Sequence, residues 1–159
     1  VAGTGDEYVL DTKHDRYPVA VHAILTSPDG FVLLMRRDGS GYADGLLAFP
    51  AGHVDRGETP TASIIREVRE ELGLELAPAA LTFGGMMFRR SFEPRVDIFF
   101  TAAVWTGTPQ ICEPHKCTEL VWVNPSQLPA DTLDYVGQAL ANARQGIPFH
   151  EYGWTTATI

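Results

Sequence analysis

The chain has 159 residues, 45% hydrophobic and 20% charged, the length and composition of one ordinary globular domain able to bury a core without staples. Twelve Lys and Arg against 20 Asp and Glu leave a formal charge of −8, which argues against a surface that grips duplex nucleic acid through its phosphates; small phosphorylated substrates stay open, because metal ions can supply the missing positive charge. There is no run of 18 apolar residues to cross a membrane, and two cysteines, Cys112 and Cys117, are too few for a disulfide framework.

Residues 1–16 show no signal-peptide pattern and are expected to be a flexible N-terminal segment ahead of one domain over 17–159. Residues 19–25 (VAVHAIL) read as a strand, Ser27-Pro-Asp-Gly30 as a turn, and residues 31–35 (FVLLM) as its hairpin partner. A loop rich in Gly, Ser and Asp follows, then a short strand over 46–49 that stops at Pro50. Thr59 as N-cap, Pro60 at the first helical position and Gly73 beyond the end predict a helix over 60–72. Strands are expected over 81–88 and 96–105, joined by a charged turn, and over 120–123, ended by Asn124-Pro125. Leu133, Val136, Leu140 and Ala143 keep helical spacing, predicting a second helix over 133–144 with Gly146 after it. The fold class is α/β (α+β), a mixed β-sheet with helices packed on its faces.

The first helix carries the chemistry. At about 100° per residue, Glu67, Glu70 and Glu71 share one arc, while Ile64, Ile65, Val68 and Leu72 share another. One face can therefore bury against a sheet while the next presents three carboxylates. Such a face can simply be solvated, moderated by Arg66 and Arg69. It can also hold hard cations, since oxygen ligands on a rigid face suit Mg²⁺ or Mn²⁺. Periodicity does not choose between the two.

The wider segment does. Gly52, five residues, Glu58, seven residues, then Arg66-Glu67-Val68-Arg69-Glu70-Glu71-Leu72-Gly73-Leu74 resembles the Nudix box, Gly-x5-Glu-x7-Arg-Glu-U-x-Glu-Glu-x-Gly-U with U bulky and aliphatic, at every specified position. A looser likeness runs over residues 18–145. The resemblance implies the Nudix fold, a mixed β-sheet sandwiched between α-helices. It implies a hydrolase that cleaves a nucleoside diphosphate linked to another moiety, with Mg²⁺ (or Mn²⁺) as cofactor. By the same resemblance, the Gly52 main-chain carbonyl with Glu67, Glu70 and Glu71 would hold metal. Arg66 would steady the carboxylates through charge-assisted hydrogen bonds, and Glu58 would orient from outside. Gly57, Gly73 and Leu74 shape the backbone and the core. Glu70 or Glu71 would take the proton from water, with Glu113 as the other candidate.

Substrate clues lie outside the box. Arg36 and Arg37 end the second strand, where they can face substrate phosphates or merely solvent. Phe49-Pro50-Ala51-Gly52-His53-Val54 is similar to a run common in MutT-like members, with Ala51 where glycine, and Leu47 where tryptophan, is usual. Residues 113–122 followed by Leu128-Pro129 resemble a stretch of MutT-type nucleoside triphosphate diphosphatases. That gives Cys117 a packing role and weakens a zinc reading of Cys112, His115 and Cys117, whose spacing is unusual for structural zinc; ordinary thiols in a reducing cytoplasm are favoured. Trp122 is expected in the core, as are Phe88, Phe92 and Phe99, although one of the three could stack on a base.

The leading expectation is a Mg²⁺-dependent enzyme that splits a nucleoside triphosphate into monophosphate and pyrophosphate. The alternative is a pyrophosphatase for ADP-ribose or a nucleotide sugar. A non-catalytic nucleotide-binding module stands third, because it should have lost carboxylates that are all present. The aromatic tail over 147–154 is expected to pack on its own domain, with a pocket cover or a homodimer contact as alternatives.

Overall fold

A computed structural model describes residues 13–155; most of the segment expected to be flexible lies outside the described residues. In chain order the elements are β1 (Val19–Leu25), β2 (Val32–Arg37), β3 (Leu47–Ala48), β4 (Ala51–His53), α1 (Pro60–Leu72), β5 (Thr82–Arg90), β6 (Pro94–Ala102), β7 (Cys117–Val123), α2 (Asp134–Gln145) and β8 (Phe149–Tyr152). They build a five-stranded sheet in the order β4-β1-β6-β5-β8 and a three-stranded sheet in the order β3-β2-β7.

Strand β1 is buried at every residue after the first. A strand apolar on both faces needs neighbours on both edges and layers above and below. It finds them in β4, antiparallel, with Val21 opposite Gly52, and in β6, parallel, with Val21 opposite Ile98. This corrects the expected hairpin. The turn forms, with the Ser27 N–H on the Phe31 carbonyl at 2.8 Å, but only a single bridge, Thr26 to Val32, follows it. Strand β2 then leaves for the smaller sheet, between β3 and β7. The fold class is the mixed α+β one expected, with its strands divided between two sheets. The short strand stops before Pro50 as expected, as β3, and the chain enters the larger sheet as β4 directly after that proline.

Helix α1 has the expected boundaries. The Thr59 side chain accepts from the Ala62 N–H, Pro60 opens the helix, and Gly73 closes it in the left-handed region at φ 70. Ile64, Val68 and Leu72 are fully buried with Val21 and Leu25 of β1 and Leu33 of β2. Each such side chain stabilises by about 1.5–3 kcal/mol, enough to lock the rotation of the helix and so the direction of its acidic face. Helix α2 packs Val136, Ala139 and Leu140 into a second cluster with Ile24, Phe49, Met87 and Phe99.

The tail packs on its own domain. Strand β8 pairs in parallel with β5, and Trp154 stacks on Phe88 at 5.2 Å while its indole N–H donates to the Phe88 carbonyl at 3.1 Å. Trp122 is not core: it is 40% exposed, because β7 is an edge strand, and its ring stacks on Trp105 at 6.3 Å. Phe92, in the β5–β6 turn, is 98% exposed, because a turn tip has no layer to pack beneath. Phe99 is buried as expected.

Candidate active site

The box residues converge on one wall of a cleft of about 640 Å³. Gly52 comes from β4, Glu67, Glu70 and Glu71 from α1, and Glu113 from the loop before β7. The loop is pinned to the helix end, with the Cys112 N–H on the Glu71 carbonyl at 3.0 Å and the Gln110 N–H on that of Leu72 at 3.0 Å. Those two bonds satisfy helix-terminal carbonyls and bring Glu113 beside the helix.

Arg66 organises the wall. Its Nε and Nη2 reach both oxygens of Glu58, at 3.1 and 2.6 Å, its Nη1 reaches Glu67 at 2.8 Å and Glu70 at 3.3 Å, and Nη2 also donates to the His53 carbonyl at 3.2 Å. The planar fork allows this geometry. The hydrogen bond from Arg66 holds the Glu58 carboxyl down at about 2. Glu71 behaves oppositely. Burial first, then the neighbouring Glu67 charge, push its carboxyl up to about 8, although it accepts the Ala51 N–H at 3.2 Å. Burial also raises Glu67.

As they stand, no three His, Cys, Asp or Glu side chains among the described residues already enclose a metal ion; Arg66 draws Glu67 and Glu70 toward itself. The donor set nevertheless suits a hard divalent cation. Its atoms are carboxylate oxygens, and Glu67 and Glu71 sit where added positive charge would relieve burial and mutual repulsion. The glycine at 52 keeps the space open: a Cβ there would lie 2.0 Å from the Glu67 carboxyl carbon. Because that obstacle is the mobile end of a side chain, Gly52→Ala should fold normally while displacing Glu67. Thermal melts within about 1 kcal/mol of wild type and a Mg²⁺ affinity weaker by about 10–100-fold in calorimetric titration are the expected outcome.

Arg36 and Arg37 part company. Successive strand residues face opposite sides, and a register shift falls between these two. Arg36 turns away from the cleft and pairs with Glu119 and Asp131, each at 2.6 Å. Arg37 lines the cleft, donating to the Tyr42 carbonyl at 3.0 Å and to Ser40 Oγ at 3.1 Å.

Sequence reasoning missed the opposite wall. His22, Phe49, Arg89, Arg95 and Tyr135 line it. Asp97, wholly buried, accepts from His22 Nε2 at 2.9 Å and from Arg89 Nε at 2.5 Å, and the Arg89 guanidinium lies 4.0 Å over the Tyr135 ring. The available signal was a titratable residue inside each of two apolar strands, VAVHAIL and PRVDIFFTA, since a buried charge needs a partner. Burial alone would raise the Asp97 carboxyl, but the His22 and Arg89 hydrogen bonds outweigh it and hold it at about 2. A depressed acid stabilises fully above its unfolded value of about 3.8 and loses that contribution as pH falls through about 2. Asp97→Asn strands the buried Arg89, at a cost of about 3–5 kcal/mol. In thermal melts the gap from wild type should be widest near neutrality and shrink below pH 4.

A profile of the NUDIX domain matches residues 16–142, and the chain belongs to that family. It is 31% identical over 108 residues to the 8-oxo-dGTP diphosphatase of Escherichia coli (strain K12), covering 67% of this chain and 83% of that protein. It is 29% identical over 106 residues to a putative 8-oxo-dGTP diphosphatase of Bacillus subtilis (strain 168), covering 67% of this chain. The match spans 65% of the Bacillus protein, and 55% of an 8-oxo-dGTP diphosphatase of Haemophilus influenzae. Among solved structures, the MutT NUDIX hydrolase of Burkholderia pseudomallei superposes with a TM-score of 0.73 at 26% identity, over 80% of this chain and 98% of that one. No helix among the described residues is long and apolar enough to cross a membrane.

Proposed function

We propose that the chain is a pyrophosphohydrolase that cleaves a nucleoside triphosphate to the monophosphate and pyrophosphate. The observation that carries this reading is one cleft lined by carboxylates, by aromatic rings and by arginines, so that a phosphate chain and a flat ring find complementary groups in the same space. Relatives named for nucleoside triphosphates support it.

In this reading the Gly52 carbonyl, Glu67, Glu70 and Glu71 hold Mg²⁺, or Mn²⁺ in its place. The bound ion would neutralise phosphate oxygens and make water more acidic. Arg66 keeps Glu67 and Glu70 on the wall, and Arg37 offers a guanidinium to the phosphates. Glu70, Glu71 or Glu113 takes the proton as the water oxygen bonds to phosphorus and the P–O–P bridge breaks. The open test is to incubate the protein with Mg²⁺ and a mixture of nucleoside triphosphates, ADP-ribose and nucleotide sugars, and to identify products by mass. Monophosphate with pyrophosphate is expected. Sugar phosphate as the main product, or no consumption at all, would overturn the reading.

A further inference from the structure

The nucleotide reading leaves one buried group without a task. His22 is 3% exposed, stacked on Phe99 at 4.8 Å and edge-on to Tyr135 at 5.6 Å and Phe49 at 6.3 Å. Its Nε2 is spoken for by Asp97. Its Nδ1 is buried, lies on a residue that lines the cleft, and has no hydrogen-bond partner among the described residues. Native folds seldom leave such an atom idle, because its desolvation is then uncompensated. Arg95 Nε, on the same wall, is also buried and unpartnered.

The chemistry of Nδ1 follows from its neighbour. An ionised carboxylate only accepts hydrogen bonds, so the Asp97 bond places the proton on Nε2. Arg89, on the other Asp97 oxygen, balances the carboxylate charge. In the ring that carries only that proton, Nδ1 presents a lone pair, and a ligand that meets it there is a donor. Phosphate oxygens deprotonated at neutral pH cannot fill that role. A nucleotide carries donors on its base edge and on its sugar hydroxyls, and the Phe49 and Tyr135 rings, which line the cleft with His22, favour the flat base.

We propose that His22 reads the base: Nδ1 accepts a hydrogen bond from one N–H on the edge of the substrate's base, with Asp97 and Arg89 as positioning residues that set the tautomer. This rests on the nucleotide reading above and adds to it a residue that discriminates among bases. A site built around one hydrogen bond rejects analogues that lack the matching group, because its own buried atom is then left unpaired.

The test couples ligand and protein changes. The nucleoside triphosphate hydrolysed best is compared with analogues in which each base N–H in turn is deleted or methylated, with its 2′-deoxy and 3′-deoxy forms, and with inorganic triphosphate as a base-free competitor. His22→Gln keeps a donor toward Asp97 without an acceptor at Nδ1; His22→Asn puts an amide oxygen near Nδ1 and gives up the Asp97 bond. One N–H deletion should raise wild-type KM about tenfold with little change in kcat. The same deletion should cost nothing further in His22→Gln and part of that penalty in His22→Asn, with competition by inorganic triphosphate unchanged throughout. Equal penalties in all three proteins, coupling to a sugar hydroxyl instead, or equal weakening of inorganic triphosphate would each overturn the proposal while leaving the nucleotide reading intact. If wild type hydrolyses no nucleotide, that reading falls first and this one with it. Should His22→Gln not fold, wild type against His22→Asn still decides, because a base N–H that matters in neither overturns the proposal.

Discussion

Glu71→Gln is expected to lower kcat by about 10²–10⁴-fold while leaving the metal-free protein as stable as wild type. The two halves of that result have one cause. Burial and the Glu67 charge raise the Glu71 carboxyl to about 8, so the isolated fold prefers the neutral form, and glutamine is close to its isostere. The Ala51 N–H keeps an oxygen acceptor. Only the negative charge is lost, and that is what a divalent cation and a departing proton require. Steady-state kinetics with Mg²⁺ and thermal melts without it separate the halves, and added Mg²⁺ should raise the melting midpoint of wild type more than that of the variant. Glu70→Gln should behave alike in kinetics and scarcely affect stability, since Glu70 is half exposed and its bond to Arg66 is long, at 3.3 Å. Unchanged turnover in both variants would remove the assigned site.

Arg66→Lys, conservative in charge, should be nearly as damaging. The guanidinium spans both oxygens of Glu58 and still reaches Glu67, Glu70 and the His53 carbonyl. A lysine offers one point charge and no planar fork, so it can serve Glu58 or the metal wall, not both. Glu67 would then be free to shift, and metal affinity should fall by about 10–100-fold, as when supporting partners of a metal site are removed, with kcat falling as well. The melting midpoint should also drop. Mn²⁺ titration followed by calorimetry, beside kinetics at saturating metal, distinguishes weakened binding from misplaced carboxylates. Full activity at saturating metal would confine Arg66 to holding the wall.

The carboxylate wall was legible in the chain because it is local. Thr59, Pro60 and Gly73 set the ends of α1, and the spacing of Ile64, Val68 and Leu72 sets the buried face. Once that face is buried, Glu67, Glu70 and Glu71 have no other direction in which to point. Arg37 and Arg36 show the limit of such reasoning. Both end a strand, but which one enters the cleft depends on the register of β2 against β7 and the shift between the two residues.

The opposite wall could not be read in advance for the same reason. His22, Arg89 and Asp97 are 75 and 8 residues apart in the pairs that join them, and only the parallel pairing of β1 with β6 and the antiparallel pairing of β5 with β6 make them neighbours. The turn after β1 suggested a hairpin, and the protein instead sends β2 to another sheet, because a strand buried on both faces competes for partners across the whole molecule. Short-range periodicity and capping thus determined the helix and its acidic face from residues within four positions of one another. The pairing of distant strands, chosen by total burial rather than by any local signal, decided what that face looks at.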